Sequence, residues 1–194
     1  MPHVPSIAPT RCVPQVDQAA LSEARRRWAL GAAGFCTFLG MHATQALLPT
    51  LATQFHATYV QASLTVSATM AAVAVLAPLV GFLTATPLAF FADRKRVIVA
   101  GLLALAIPTL LVATSAGLSG MIAWRALQGV FIALVYVATM TYVNEEWAGG
   151  GGGAALAAYD SGDGLGGVSG RFLTGVLTDV PGWRGAVLLL GVLG

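Results

Sequence analysis

The sequence predicts an all-helical protein that crosses a membrane several times, and three observations predict it. Of 194 residues, 57% are hydrophobic and only 9% are charged, where a soluble domain carries about 25% charged residues. Mean hydropathy is +0.79, and the apolar residues gather into runs of about 20, the length a helix needs to cross a hydrocarbon core about 30 Å thick. The basic residues cluster between those runs instead of lining a face, and the net charge is only +2, which argues against a nucleic-acid surface. Cys12 and Cys36 give neither a zinc spacing nor a disulfide framework.

Residues 1–27 are polar, hold Pro2, Pro5, Pro9 and Pro14, and end in Arg25-Arg26-Arg27; they read as a tail, disordered up to a short stretch near Leu21. The apolar run that follows exceeds the hydrophobic region of a signal peptide, so it reads as an uncleaved first span over 28–51. A second run covers 62–91 with Pro78 and Pro87 inside it, longer than a bilayer requires, which predicts tilt, a kink or an emerging end. After Asp93-Arg94-Lys95-Arg96 come a third span over 97–115 and, across a short neutral link, a fourth over 121–143. The next loop holds Glu145, Glu146 and five consecutive glycines, Gly149 to Gly153, which disfavour helix in water. A fifth span covers 154–177, and an apolar segment from 186 begins a sixth.

Arg11, Arg25, Arg26, Arg27, Arg94, Lys95 and Arg96 all fall before span one or between spans two and three, while the loops after spans one and three carry no Lys or Arg. The positive-inside rule then places the N-terminus in the cytoplasm of an inner-membrane protein. Trp28, Trp124, Trp147 and Trp183 fall near span ends, as an aromatic belt requires.

Several intramembrane residues are candidates for function. Arg125 lies near the start of span four, where an unpaired charge costs about 2.5 to 3.5 kcal/mol. It either lines a cavity or snorkels to the interface, and Gln128, three residues on, shares its face and can accept from it. Asp160 and Asp163 are three apart on one face of span five. Two carboxylates so close in low dielectric repel, which makes one of them a candidate proton carrier; pairing with an arginine is the structural reading. His42 and Gln45 share a face of span one, the histidine being either a protonatable group or a packing residue. Gly162, Gly166 and Gly170, with Gly167 beside them, leave a stripe of span five without side chains, on which another helix can pack closely. Arg171 beyond the stripe reads as an interface anchor.

Arg125-Ala-Leu-Gln128-Gly129 resembles the R-x-x-Q-G motif of the major facilitator superfamily. Ser161 to Arg171, leading through Leu177-Thr-Asp179 to Gly182-Trp183-Arg184, resembles the fifth helix and following loop of its proton-driven efflux branch. Gln45-Ala-Leu-Leu-Pro49 and Gln61 to Ser67 are similar to bacterial sugar-efflux and drug-efflux permeases. The cytoplasmic loop motif of the family, G-x-L-x-D-R-x-G-R-K, is matched at its end by Arg94, Lys95 and Arg96, the expected gating residues. Its acid is replaced by Phe90 or Ala85 according to the alignment, with Asp93 displaced.

The resemblance implies the N-terminal half of such a transporter, five transmembrane helices and the start of a sixth, with a C-terminal six-helix half as partner across a pseudo-two-fold axis. It implies export of a small drug-like or sugar-like solute by alternating access. The proton gradient drives it without a cofactor, Asp163 loading a proton and Arg125 answering its charge. In the resembled proteins the place of Asp163 is commonly Asn. A competing expectation is a truncated, non-transporting fragment, inactive without a second half. No enzyme constellation appears: Gly164-Leu-Gly166-Gly167 follows no strand, and the five-glycine run has no lysine to cradle a phosphate.

Overall fold

The computed structural model describes residues 18–85, 93–179 and 182–193. They form six helices: α1 Gln18–Gln54, α2 Tyr59–Ala85, α3 Arg94–Ala113, α4 Leu118–Glu146, α5 Gly152–Thr178 and α6 Gly182–Leu193. Apolar helices in this number make the chain an all-helical, multi-pass membrane protein, because helices satisfy their own backbone polar groups where no water can.

The helix limits differ from the expected spans. α1 starts at Gln18, so 18–27 is helical where a tail was expected up to 27; the Glu23–Arg27 pair spaced at one turn supports that extension. α2 ends at Ala85, and Pro87 and Phe90 lie outside the described residues. Asp93 is the N-cap of α3, its carboxylate accepting from the Arg96 N–H. The glycine run is mostly turn at its centre, where Gly150 and Gly151 take positive φ of 127° and 85°, yet Gly152 and Gly153 already belong to α5. Glu145 and Glu146, expected in a loop, end α4.

By length and composition alone, α2, α3 and α4 can cross a membrane. α1 and α5, at 37 and 27 residues, are long enough but more polar than the expected five spans implied. Their polar side chains, His42 and Gln45 on α1 and Asp160, Asp163 and Arg171 on α5, are the ones the sequence offers for function. α6, with 12 residues, is shorter.

Glycine decides how the helices meet. A Cβ on Gly162 would enter the Gly31 carbonyl, one on Gly166 would lie 2.5 Å from the Phe35 carbonyl, and one on Gly170 would enter the Leu39 carbonyl. Positions advance by four along both chains, so α1 and α5 run parallel in backbone contact over two turns, the close approach small residues permit. Gly129 does the same for α2 and α4, where a Cβ would sit 2.5 Å from the Thr69 carbonyl. α3 packs antiparallel on α4, with Arg94 beside Glu145 at one end and Thr109 beside Gln128 further along. α6 leans on α3, α5 and α1. Buried Leu47, Leu51, Met121 and Trp183 close the far end; Trp183 stacks edge-on to Phe55 and is therefore core, not belt.

Candidate functional site

Two polar assemblies stand inside this apolar bundle. The first is built on Arg125, which is 1% exposed. Its Nε donates to the Thr65 carbonyl at 3.3 Å, Nη1 to the Gly40 carbonyl at 3.2 Å and to Gln128 Oε1, and Nη2 to the Met41 carbonyl at 2.7 Å. Gln128 Nε2 donates to Thr109 Oγ1 at 2.9 Å, and Thr109 Oγ1 donates in turn to the Leu105 carbonyl at 2.8 Å. Thr69 Oγ1 donates to the Arg125 carbonyl at 2.9 Å. One guanidinium thus ties α1, α2 and α4 together, and Gln128 extends the tie to α3. The planar fork suits this task, since several donors leave one rigid group toward separate acceptors. Arg125 does not snorkel, and it is not joined to Asp163 as expected: its bonds go to carbonyls and to Gln128.

The second assembly is the flank of α5 beside its glycine contact with α1. Asp163 is half-buried and Asp160 exposed on it. A Cβ on Gly167, one turn beyond Asp163, would lie 3.2 Å from His42 Nδ1, so the glycine makes room for the imidazole. His42 Nδ1 is 3.1 Å from the Phe38 carbonyl. A carbonyl only accepts, so Nδ1 is the donor of this bond and Nε2 takes no part in it. His42 and Asp163 interact electrostatically across the seam. Further along, Arg171 Nε donates to Gln45 Oε1 at 2.8 Å, a defined partner where an interface anchor was expected. Tyr159, fully buried one turn before Asp163, packs edge-on to Phe38 with centroids 6.4 Å apart and tilts toward Tyr136 at 6.1 Å. Its hydroxyl has that of buried Thr37 as its side-chain partner, while the hydroxyl of buried Thr139 makes no hydrogen bond.

The outer faces contrast sharply. α3 exposes Val99, Leu103 and Ile107, and α6 exposes Leu188, Leu189 and Val192, all suited to lipid. α5 exposes Asp160, Ser161 and Arg171 beside its apolar residues, and ionisable groups at this depth face water or protein, not lipid tails. A cavity of about 790 Å³ opens on the opposite flank of α1 and α5, against Trp28, Phe35, Cys36 and Leu165. It is apolar, and of the predicted site residues only Gly162 touches it.

The loop residues Arg94, Lys95 and Arg96 gather at the basic end. Arg94 pairs with Glu145 at 3.1 Å, Arg96 with Asp93 at 2.9 Å, and Lys95 stands 5.5 Å above the Tyr142 ring. Arg26 pairs with Glu146. Asp93, displaced from the loop motif, therefore serves as helix cap and partner of Arg96. At the far end Arg184 donates to the Ala113 and Ser115 carbonyls at 3.1 and 2.8 Å, holding the last turn of α3.

Thr65, Thr69, Thr109, Tyr136 and Tyr159 escaped the sequence reading. Threonines are unremarkable in a membrane helix, and their signal is only that each falls on the helix face turned toward Arg125. The carbonyls of Gly40 and Met41 carry no residue-type signal at all.

A sequence profile of the Major Facilitator Superfamily matches residues 30–194. The chain is 35% identical over 163 residues to the "Inner membrane transport protein YnfM" of Escherichia coli (strain K12), an alignment covering 84% of this chain and 38% of that protein. It is 32% identical over 166 residues to the "Uncharacterized MFS-type transporter YybF" of Bacillus subtilis (strain 168), covering 86% and 40%. An "Uncharacterized transporter" of Buchnera aphidicola subsp. Schizaphis graminum matches at 30% over 158 residues, covering 81% and 37%. The chain spans about two-fifths of the length of these curated relatives. With the Arg125–Gln128 knot and the glycine-packed fifth helix in place, it belongs to the Major Facilitator Superfamily.

Proposed function

We propose that this chain supplies half of a proton-coupled exporter of a small solute, with the Asp163 flank of α5 as its part of the pathway. The observation that carries the reading is the placing of Asp160, Asp163, His42 and Arg171 together on one flank of the α1–α5 pair, while the middle turns of α3 and the later turns of α6 expose apolar residues. Ionisable groups are kept at that depth where they bind or conduct something. A second six-helix bundle would face this flank and close the pathway, rocking against it in alternating access. The basic end, with Arg25, Arg26, Arg27, Arg94, Lys95 and Arg96, is the cytoplasmic one in an inner membrane by the positive-inside rule. Its pairs with Glu145 and Glu146 hold the ends of α1, α3 and α4 together as a gate.

In this mechanism Asp163 alternates between protonated and ionised states. His42 Nε2 is the neighbouring group that can accept or return the proton, while Phe38 fixes the ring. Arg125 keeps the helices around the seam in register without titrating. The test is solute flux in vesicles with and without an imposed proton gradient, using a full-length version and its Asp163→Asn variant. Gradient-driven efflux that disappears in the variant supports the reading; efflux unchanged by Asp163→Asn overturns the role of the acid.

A further inference from the structure

On the flank away from Asp163, the cavity of about 790 Å³ between α1 and α5 is a furrow. Gly31 and Gly162, in backbone contact, make its floor, and Ala24 and Ala158 add only methyl groups. Trp28 and Leu165 stand on its edges, 81% and 65% exposed. On this side α5 turns Leu165, Val168, Phe172 and Val176 outward, positions whose spacing puts them on one face. Asp160, Asp163 and Arg171 lie further round the helix. The furrow therefore opens toward lipid, and its volume is in the range that encloses a bound molecule.

What it takes follows from its two ends. Trp28 lies at the end of a span, the level of the lipid headgroups. Cys36 lines the deep end, about 12 Å further along the helix axis. A path from headgroup level into the hydrocarbon is the path of an acyl chain, and a soluble anion has nothing to gain from it. The mouth is basic. Arg27 lines it, and while one Nη of Arg27 donates to Glu23, its Nε is buried and makes no hydrogen bond. A buried N–H without an acceptor is costly, and a phosphate oxygen at the mouth supplies a charged one. Arg25, exposed within one turn of Trp28, enters none of the ion pairs found among the described residues. Arg25 and Arg27 less Glu23 leave one net positive charge at the mouth, the complement of a lipid with one net negative charge.

We infer that the furrow between α1 and α5 holds a chain of an anionic phospholipid, its phosphate accepting from Arg27 Nε with Arg25 beside it. The lipid fills space that the small residues leave empty and fixes the depth of the basic halves of both helices beside their glycine contact. This site is separate from the Asp163 flank and does not depend on the transport reading.

The test uses the chain and a full-length version, each purified in mild detergent, stripped of lipid and titrated with dioleoyl phosphatidylglycerol, with intact-complex mass spectrometry counting the lipid retained. One molecule per chain is expected to bind at least about fivefold more tightly than dioleoyl phosphatidylcholine. Arg27→Gln and Arg25→Gln are each expected to weaken binding about fivefold, the effect of one juxtamembrane charge. Glu23→Gln is expected to tighten it, which a loss of structure would not do. Ala32→Trp, filling the furrow from an exposed position on its wall, is expected to abolish retention at an unchanged Tm. Glycerol phosphate is expected not to displace the lipid. Equal binding of phosphatidylcholine, displacement by glycerol phosphate, retention in Ala32→Trp, or an affinity unchanged by Arg25→Gln with Arg27→Gln overturns the inference. Retention by this chain but not by the full-length version also overturns it and assigns the furrow to a helix of the second half.

Discussion

Replacing Arg125 with lysine keeps the charge and removes the fork. The guanidinium makes four hydrogen bonds to groups on three helices, whereas an ammonium sits at one point with three donors and reaches acceptors on one side only. About two bonds are lost. Interhelical hydrogen bonds inside a membrane contribute about 0.6 to 1.7 kcal/mol each, so Arg125→Lys is expected to destabilise the bundle by about 1 to 3 kcal/mol. For a chain of this size that corresponds to a fall in Tm of roughly 3 to 10 °C. The assay is thermal unfolding in mild detergent followed by tryptophan fluorescence. Since the charge is unchanged, the cost of placing it in the bilayer is nearly the same in both proteins, and the difference reports the fork. A lysine variant that melts together with the parent would refute the idea that Arg125 is a structural tie.

Gly162→Ala places a methyl group in the Gly31 backbone, which cannot swing aside, so a loss of about 1 to 3 kcal/mol is expected in the same melt. Gly164→Ala, with nothing within 4 Å, is expected to be neutral or stabilising by up to about 1 kcal/mol through helix propensity. For Arg94 and Glu145, paired at 3.1 Å with the acid 55% exposed, a double-mutant cycle is expected to give a coupling below about 1 kcal/mol that shrinks with added salt. A coupling insensitive to salt would contradict the solvated placement of this pair.

The sequence carried the helix count and the glycine seam because both depend on local pattern. Apolar run length sets the number of helices, and the four-residue spacing of Gly162, Gly166 and Gly170 already specifies a bare stripe. Helix limits were less legible. α1 begins earlier than expected because Glu23 pairs with Arg27 one turn on, and α5 begins inside the glycine run, whose turn needs only Gly150 and Gly151 at positive φ. Gln128 as partner of Arg125 follows from helical spacing, but the three carbonyls that complete its shell come from α1 and α2, and main-chain acceptors leave no trace in residue identity. The expected Arg125–Asp163 dialogue failed for a related reason. Two helices can each carry a charge and still present it to different neighbours, and here α5 places Asp163 near His42 while α4 turns its arginine into the α1–α2 backbone.

The central claim is that the Asp160–Asp163 flank of α5 borders water and not lipid. Single cysteines at Gly164, which has open space around it, and at Leu103 on the outer face of α3 test it most directly, in a background where Cys12 and Cys36 are replaced by serine. Membrane vesicles containing full-length versions would be treated with a membrane-impermeant, water-requiring thiol reagent. The account predicts rapid labelling of Gly164→Cys, slowed by the transported solute, and little labelling of Leu103→Cys. Equal labelling of the two, or protection of Gly164→Cys with labelling of Leu103→Cys, would contradict it.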